Sequence, residues 1–368
     1  MTKTAVAARA EAPERVRRWI RDELQALAPY RVPDATGLLK LDAMESPYGW
    51  GPELREPWAE ALRGVDLNRY PDPQARELRR RLRRVLGVAD ELQIMLGNGS
   101  DELIQIVQAA LKGAPHCIMA PAPTFVMYET IARIVDRPFV GVPLTADFAI
   151  DVSRTVDAVE RHRPACIFLA NPNNPTGNLF EREAIDAVIE ATDGVVVIDE
   201  AYFSFSGVTW LEQLAHRDNL MVMRTLSKHG LAGLRLGMLI GAPHWLEQCD
   251  KARLPYNVNV LTQASAEFAL AHHDVLDRRA ALICTERERL YATLRSMELE
   301  NVYPSRANFI LFRTRAACAS RIHARLLDQG VLIRNLDKPG TALADCLRVT
   351  AGTPEENDRF VRALQAAL

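Results

Sequence analysis

Lys228 stands in the run Thr225-Leu226-Ser227-Lys228-His229-Gly230-Leu231-Ala232-Gly233-Leu234-Arg235. A lysine amine can form a covalent Schiff base with a carbonyl ligand. Glycines beside it let the backbone approach something bulky. Ser227 can hydrogen-bond a phosphate, and Arg235 can clamp one as a charged fork. Taken alone, the run also fits an ordinary loop lysine beside a turn, since short motifs recur by chance. Three other segments bear on the choice.

Leu96-Gly97-Asn98-Gly99-Ser100-Asp101-Glu102 lies between a strand-like and a helix-like stretch. Free backbone N–H groups at a helix start suit a phosphate. The same residues fit a plain turn with Ser100 as the helix cap. Asn171-Pro172-Asn173-Asn174-Pro175-Thr176-Gly177 follows an apolar strand and has more Asn, Pro and Gly than a turn requires. Ile198-Asp199-Glu200-Ala201-Tyr202 places an acid at the end of a strand that should be buried. A buried acid is costly without a partner, which a protonated ring nitrogen or a structural salt bridge would supply. One ligand uses all the pieces. Lys228 offers the amine, Asp199 a charge for a pyridinium nitrogen, and Asn174 and Tyr202 hydrogen bonds for a phenolic oxygen. Ser100, Asp101, Ser227 and Arg235 would surround a phosphate, and Phe125 offers an aromatic face. That ligand is pyridoxal 5′-phosphate.

Parallel-sheet architecture would put these segments together, because ligands of such sheets bind beyond the strands' carboxyl ends. The hydropathy pattern predicts strands over 92–96, 117–120, 165–170, 195–198 and 220–224. Helices are predicted over 101–111, 124–135 and 182–191. Fully apolar strands alternating with helices indicate an α/β fold with a mainly parallel central sheet flanked by helices. From about residue 245 the pattern changes to one long helical stretch, 263–294. Short strands follow at 308–313, 331–334 and 346–350. This describes a large domain over 46–245 and a smaller α+β domain over 1–45 and 246–368. Val16, Ile20, Leu24 and Leu27 have the spacing of an amphipathic N-terminal helix, expected against the smaller domain. The Pro-rich stretch 29–57 reads as an irregular crossing segment.

Bulk properties exclude several classes. The chain has 368 residues, 48% hydrophobic and 25% charged, with a net charge of -2, so no bulk attraction to nucleic acid or anionic membrane is expected. In the arginine run 76–84, Leu78, Leu82 and Leu86 form one apolar helix face, and the arginines fall on solvated faces. Six cysteines without CxxC spacing read as free thiols in a reducing compartment. Scattered histidines suggest no metal site. No signal peptide or membrane span is apparent, which implies a cytoplasmic protein.

These segments, in this order, resemble the fold-type I pyridoxal-phosphate aminotransferases, and among them the histidinol-phosphate aminotransferase family. The resemblance runs from about Tyr30 to the C-terminus and implies Lys228, Asp199 and Tyr202 as catalytic residues. It includes Asn68-Arg69-Tyr70-Pro71-Asp72, which implies a homodimer in which Tyr70 reaches the cofactor phosphate of the partner subunit. Arg348 and Arg334 resemble the family's substrate anion-binding arginines, and Tyr30 a substrate-holding tyrosine. The implied reaction moves an amino group from L-glutamate to imidazole-acetol phosphate, giving L-histidinol phosphate and 2-oxoglutarate in histidine biosynthesis. Aromatic aminotransferase and phosphothreonine decarboxylase activities share the scaffold and stay open, as does an idle, cofactor-binding regulator. Three positions depart from the family pattern. The Lys228–Arg235 spacing is one residue short, Ser46 stands where asparagine is usual, and Phe125 replaces a tyrosine.

Overall fold

The computed structural model describes residues 14–29 and 32–368. The strands, in chain order, are β1 (Leu39–Leu41), β2 (Gln93–Asn98), β3 (Ile118–Ala122), β4 (Phe139–Pro143), β5 (Cys166–Ala170) and β6 (Val195–Asp199). They continue with β7 (Leu220–Thr225), β8 (Leu236–Gly241), β9 (Asn301–Val302), β10 (Phe309–Arg313), β11 (Val331–Asn335) and β12 (Cys346–Thr350). The larger sheet has the order β2-β8-β7-β6-β5-β3-β4. It is parallel from β7 through β4, and β8 runs antiparallel to both of its neighbours.

Every residue of β5, β6, β7 and β8 is buried. Alternation along β6 explains how. Val196 and Ile198 enter the core on one face, with Leu78, Leu82, Ile185 and Val188 from helices. Val195 and Val197 enter the core on the other face, with Leu103, Ile104 and Ile131. Side chains of a strand point alternately to opposite faces, so a strand covered on both sides must be apolar throughout. The parallel arrangement leaves Ala170 and Asp199 side by side at the carboxyl ends of β5 and β6, with Thr225 at the carboxyl end of β7 two residues beyond Met223, the partner of Asp199.

The second sheet has the order β1-β11-β12-β10-β9, with β1 parallel to β11 and the other pairs antiparallel. Helices His273–Arg295, Ala319–Asp328 and Pro354–Ala367 cover it through Leu290, Leu294, Ile322, Leu326, Phe360 and Leu364. The last helix begins with a capping box, in which the Thr353 hydroxyl accepts from Glu356 N–H and the Glu356 carboxylate accepts from Thr353 N–H.

Three local outcomes that differ from the sequence pattern bear on how the chain is laid out. The long helical stretch is two helices, Val260–Ala271 and His273–Arg295. His272, at φ -121° and ψ 28°, leaves helical geometry between them. The expected N-terminal helix is two short ones, Glu14–Trp19 and Asp22–Ala26, with no buried residue in either. Arg21 is extended between them; it donates to Ile134 O and pairs with Asp136 at 3.6 Å. The segment therefore lies on the larger sheet's helix Met127–Ile134, not on the smaller sheet. The stretch 29–57 holds β1 and the start of helix Pro52–Arg63, where Pro sits in the first turn.

Phe360 is fully buried at the smaller sheet. Replacing it with alanine should cost about 3–5 kcal/mol of stability. Urea unfolding should show an earlier transition, and an unchanged one would contradict this packing.

Candidate active site

Residues from separate elements converge beyond the carboxyl ends of β5, β6 and β7. A cavity of about 520 Å³, open to solvent, is lined by Ser100, Asp101, Phe125, Asn174, Asp199, Tyr202, Ser227, Lys228 and Arg235. Met44, Ala170, Ala201 and Thr225 complete its walls. A larger cleft of about 740 Å³ lies between helices Arg76–Leu86 and Pro243–Asp250. Both of its arginines are engaged: Arg253 pairs with Asp250 at 2.6 Å and Arg79 donates to Gln74 at 3.1 Å. It offers no lysine or other nucleophile to a carbonyl ligand.

Lys228 sits in a single π-turn, Ser227–Leu231, directly after β7. The one-residue shortening is absorbed there. Gly230 takes φ 101°, which an L side chain rarely adopts. The chain then passes through a short 3₁₀ turn, and Arg235 emerges in left-handed conformation at φ 49°. Despite the shorter path, Arg235 Nη1 lies 3.3 Å from Ser227 Oγ. The Ser227 hydroxyl also accepts from Thr225 Oγ1 at 2.9 Å.

Opposite them, helix Ser100–Ala110 presents its N-terminus. Gly99 is the cap residue and Ser100 the first helical residue, so the Ser100 hydroxyl does not cap the helix. Gly99 has φ 85°, and a Cβ there would come within 2.5 Å of Arg235 Nη2. Asp101 Oδ2 lies 3.5 Å from the same nitrogen. Glu102 braces the turn, accepting from Asn98 N–H and from Asn257 Nδ2, each at 2.6 Å. Two hydroxyls, a guanidinium and free N–H groups thus face one end of the cavity, a donor set fit for a phosphate dianion.

Asp199 lies at the other end, 3% exposed. Its Oδ2 accepts from Tyr128 OH at 2.7 Å and its Oδ1 from Ala201 N–H at 3.0 Å. Burial raises its pKa to about 6. The Lys228 amine donates to Ala43 O at 3.0 Å. Burial first, and then the positive charge of Arg348, lower its pKa to about 8. Tyr202 OH accepts from Asn174 Nδ2 at 3.1 Å, and burial pushes its phenol well up. The Asn174 carbonyl accepts from Arg348, which also donates to Asp42 O at 3.0 Å. A carboxylate, an amine that can lose its proton near neutrality, and two hydrogen-bonding groups therefore surround one small volume. They fit an aromatic, phosphate-bearing aldehyde with a ring nitrogen.

The remaining expected residues lie elsewhere. Arg334 on β11 is the register partner of Arg348 on β12, so the two share a face of the smaller sheet. Tyr70 is 80% exposed, away from this chain's own cavity, and stacks on Tyr256 at 4.5 Å. Tyr30 falls outside the described residues. The sequence pattern missed Tyr128, Thr225, Met44 and the Ala43 carbonyl. Tyr128 follows Phe125 by one helical turn, and a tyrosine on an apolar helix face needs a partner for its hydroxyl. Backbone groups such as Ala43 O leave no trace in residue type.

Fold and site together define a pyridoxal-phosphate-dependent transferase of fold-type I. Residues 36–364 match the family model described as aminotransferase class I and II, and the chain belongs to that family. It is 53% identical over 353 residues to a histidinol-phosphate aminotransferase of Nitrosococcus oceani, covering 96% of this chain and 98% of that one. It is 47% identical to one from Cupriavidus pinatubonensis, over 97% of this chain and 98% of the relative. The structure of histidinol-phosphate aminotransferase from Sinorhizobium meliloti, in complex with pyridoxal 5′-phosphate, superposes with a TM-score of 0.85 at 26% identity, covering 97% and 98% of the two chains. The enzyme is an aminotransferase and its cofactor is pyridoxal 5′-phosphate.

Cofactor capture should need Asp199 ionised and Lys228 neutral. An acid ionises above its pKa and an amine loses its proton above its own. The association rate of pyridoxal 5′-phosphate with cofactor-free protein should therefore rise with pH through about 6 and again through about 8. Asp199→Asn should abolish the lower limb. A rate flat across that span would contradict the assignment.

Proposed function

We propose that the enzyme transfers an amino group from L-glutamate to imidazole-acetol phosphate, giving 2-oxoglutarate and L-histidinol phosphate in histidine biosynthesis. The supporting observation is the cross-strand pair Arg334 and Arg348. Two guanidinium groups on one face concentrate positive charge there, which suits an anionic group on a substrate. Arg348 reaches the Asn174 side chain and acts electrostatically on Lys228, so it belongs to the reacting centre. Arg334 stands opposite it on the adjacent strand, on the same face. An amino acid with a second anionic group, carboxylate in glutamate or phosphate in the other substrate, suits a pair of cations. Relatives 42–53% identical over nearly the whole chain bear the same activity in their names.

In this reading the residues have separate tasks. Bound pyridoxal 5′-phosphate supplies an aldehyde and an electron-accepting ring. Ser100, Ser227 and Arg235 hold its phosphate, and Phe125 covers its ring. Asp199 holds a proton at the ring nitrogen. Asn174 and Tyr202 orient the phenolic oxygen. Arg348 grips the substrate carboxylate, which places the α-hydrogen beside Lys228. The Lys228 amine, its proton affinity lowered by burial, removes that proton and later returns one.

Tyr70 reaches the partner subunit's site in a homodimer; its exposure and its stacking on Tyr256 support this. The division into a large domain over 46–245 and a small one over 1–45 with 246–368 follows the two sheets, except that segment 14–26 lies on helix Met127–Ile134 of the large one. Helix Val260–Ala271 crosses this division, with Ala266 and Ala269 in the large-sheet core. The six free cysteines suit the cytoplasm. The family resemblance gives Tyr30 a substrate-holding role.

Assays with histidinol phosphate, phenylalanine and phosphothreonine test the substrate. Highest catalytic efficiency with histidinol phosphate is expected; a preference for either other compound overturns the reading. Lys228→Ala should abolish turnover and the absorption band of the lysine-bound cofactor. Arg334→Ala should raise KM for histidinol phosphate by about tenfold or more, since a charge-assisted bond is lost. Its effect on glutamate should be smaller, and equal effects on both would remove the phosphate role.

A further inference from the structure

We infer that Tyr128 is a positioning residue for the reaction: its hydroxyl fixes the Asp199 carboxylate and keeps it ionised for the cofactor's ring nitrogen. The inference rests on the reading of Asp199 as the partner of that nitrogen.

Tyr128 lies on helix Met127–Ile134 and is fully buried. It is not among the cavity-lining residues, so it acts through Asp199. Its ring stacks on Phe168 at 4.8 Å and 11°, and meets Phe125 edge-on at 5.6 Å and 86°. Gln108 Nε2 donates to its backbone oxygen at 3.1 Å. The ring is therefore held from several sides, and a phenylalanine would satisfy the same packing. The hydroxyl is the part that packing does not explain. It donates to Asp199 Oδ2 at 2.7 Å, while Ala201 N–H serves Oδ1. One donor on each oxygen sets the plane of the carboxylate and leaves lone pairs for the cavity.

The charge environment makes this bond consequential. Burial favours the protonated acid, and so do Asp101 on the neighbouring helix and Glu200 next along the chain. Glu200 is itself paired with Arg224 at 2.8 Å. The Tyr202 phenol feels the Asp199 charge, which adds to burial in holding its proton. Among these groups, the Tyr128 hydroxyl and the Ala201 N–H favour the ionised form. Removing the hydroxyl should leave Asp199 protonated to higher pH, and a neutral acid cannot pair with a protonated ring.

The experiment measures pyridoxal 5′-phosphate affinity by equilibrium dialysis across pH for wild-type, Tyr128→Phe and Asp199→Asn proteins. Tyr128→Phe should bind about tenfold more weakly near pH 6, the loss expected for one hydrogen bond to a charged group, and its acid midpoint should move upward. Site-specific 3-fluorotyrosine at 128, a more acidic and stronger donor, should move the midpoint downward. A residue with only a packing role would move neither. Wild-type affinity and midpoint in Tyr128→Phe, or no downward shift with fluorotyrosine, overturns the inference; the fluorotyrosine result decides alone if the phenylalanine protein does not fold. If Asp199→Asn binds like wild-type, the reading of Asp199 itself fails. If only Tyr128→Phe does, that reading stands and the role of Tyr128 falls.

Discussion

A carboxylate at the end of a fully buried strand is the constraint around which this molecule is arranged. Taking such a charge out of water costs several kcal/mol unless partners offset it. β6 carries Asp199 to that position because every residue before it is apolar and must be covered on both faces. The surroundings then divide the task. Tyr128 and Ala201 hold one oxygen each. The next acid, Glu200, is neutralised separately by Arg224, which also lies over the Phe203 ring at 3.7 Å. Asp199 faces the ligand cavity, partly reluctant to ionise, and a protonated ring nitrogen satisfies it.

The second sheet meets the first at the same place. Segment 42–44 supplies three consecutive carbonyls, accepting in turn from Arg348, Lys228 and Asn308. Met44 sits in left-handed conformation at φ 53°, and its N–H donates to Thr350 Oγ1 at 3.0 Å. The lysine on the larger sheet and the arginine on the smaller are thus tied to adjacent peptide units. A movement of the smaller sheet would be felt at the lysine amine, where Arg348 already lowers proton affinity.

Much of this was legible in residue types. The apolar runs over β5, β6 and β7 announced a parallel sheet, and the polar segments at their ends announced the cavity; Lys228, Asp199, Asn174, Tyr202 and Ser227 do line it. The shortened loop after Lys228 looked like a departure, yet a π-turn and Gly230 absorb it and return Arg235 to Ser227. β8, antiparallel between β2 and β7, escaped notice because it follows the lysine loop and shares the apolar character of its neighbours. The break at His272 had no proline or glycine to mark it. Tyr128 was hidden for a different reason. Its position on an apolar helix face accounts for the ring, and only the fold reveals that an acid seventy-one residues away meets the hydroxyl.

The central claim is that Asp199 exists to keep a ring nitrogen protonated. Nitrogen NMR of the protein loaded with isotope-labelled pyridoxal 5′-phosphate observes that atom directly. At neutral pH the ring nitrogen should give the shift of a protonated pyridinium, and Asp199→Asn should return it to the unprotonated value. An unprotonated nitrogen in the unaltered protein would contradict the account.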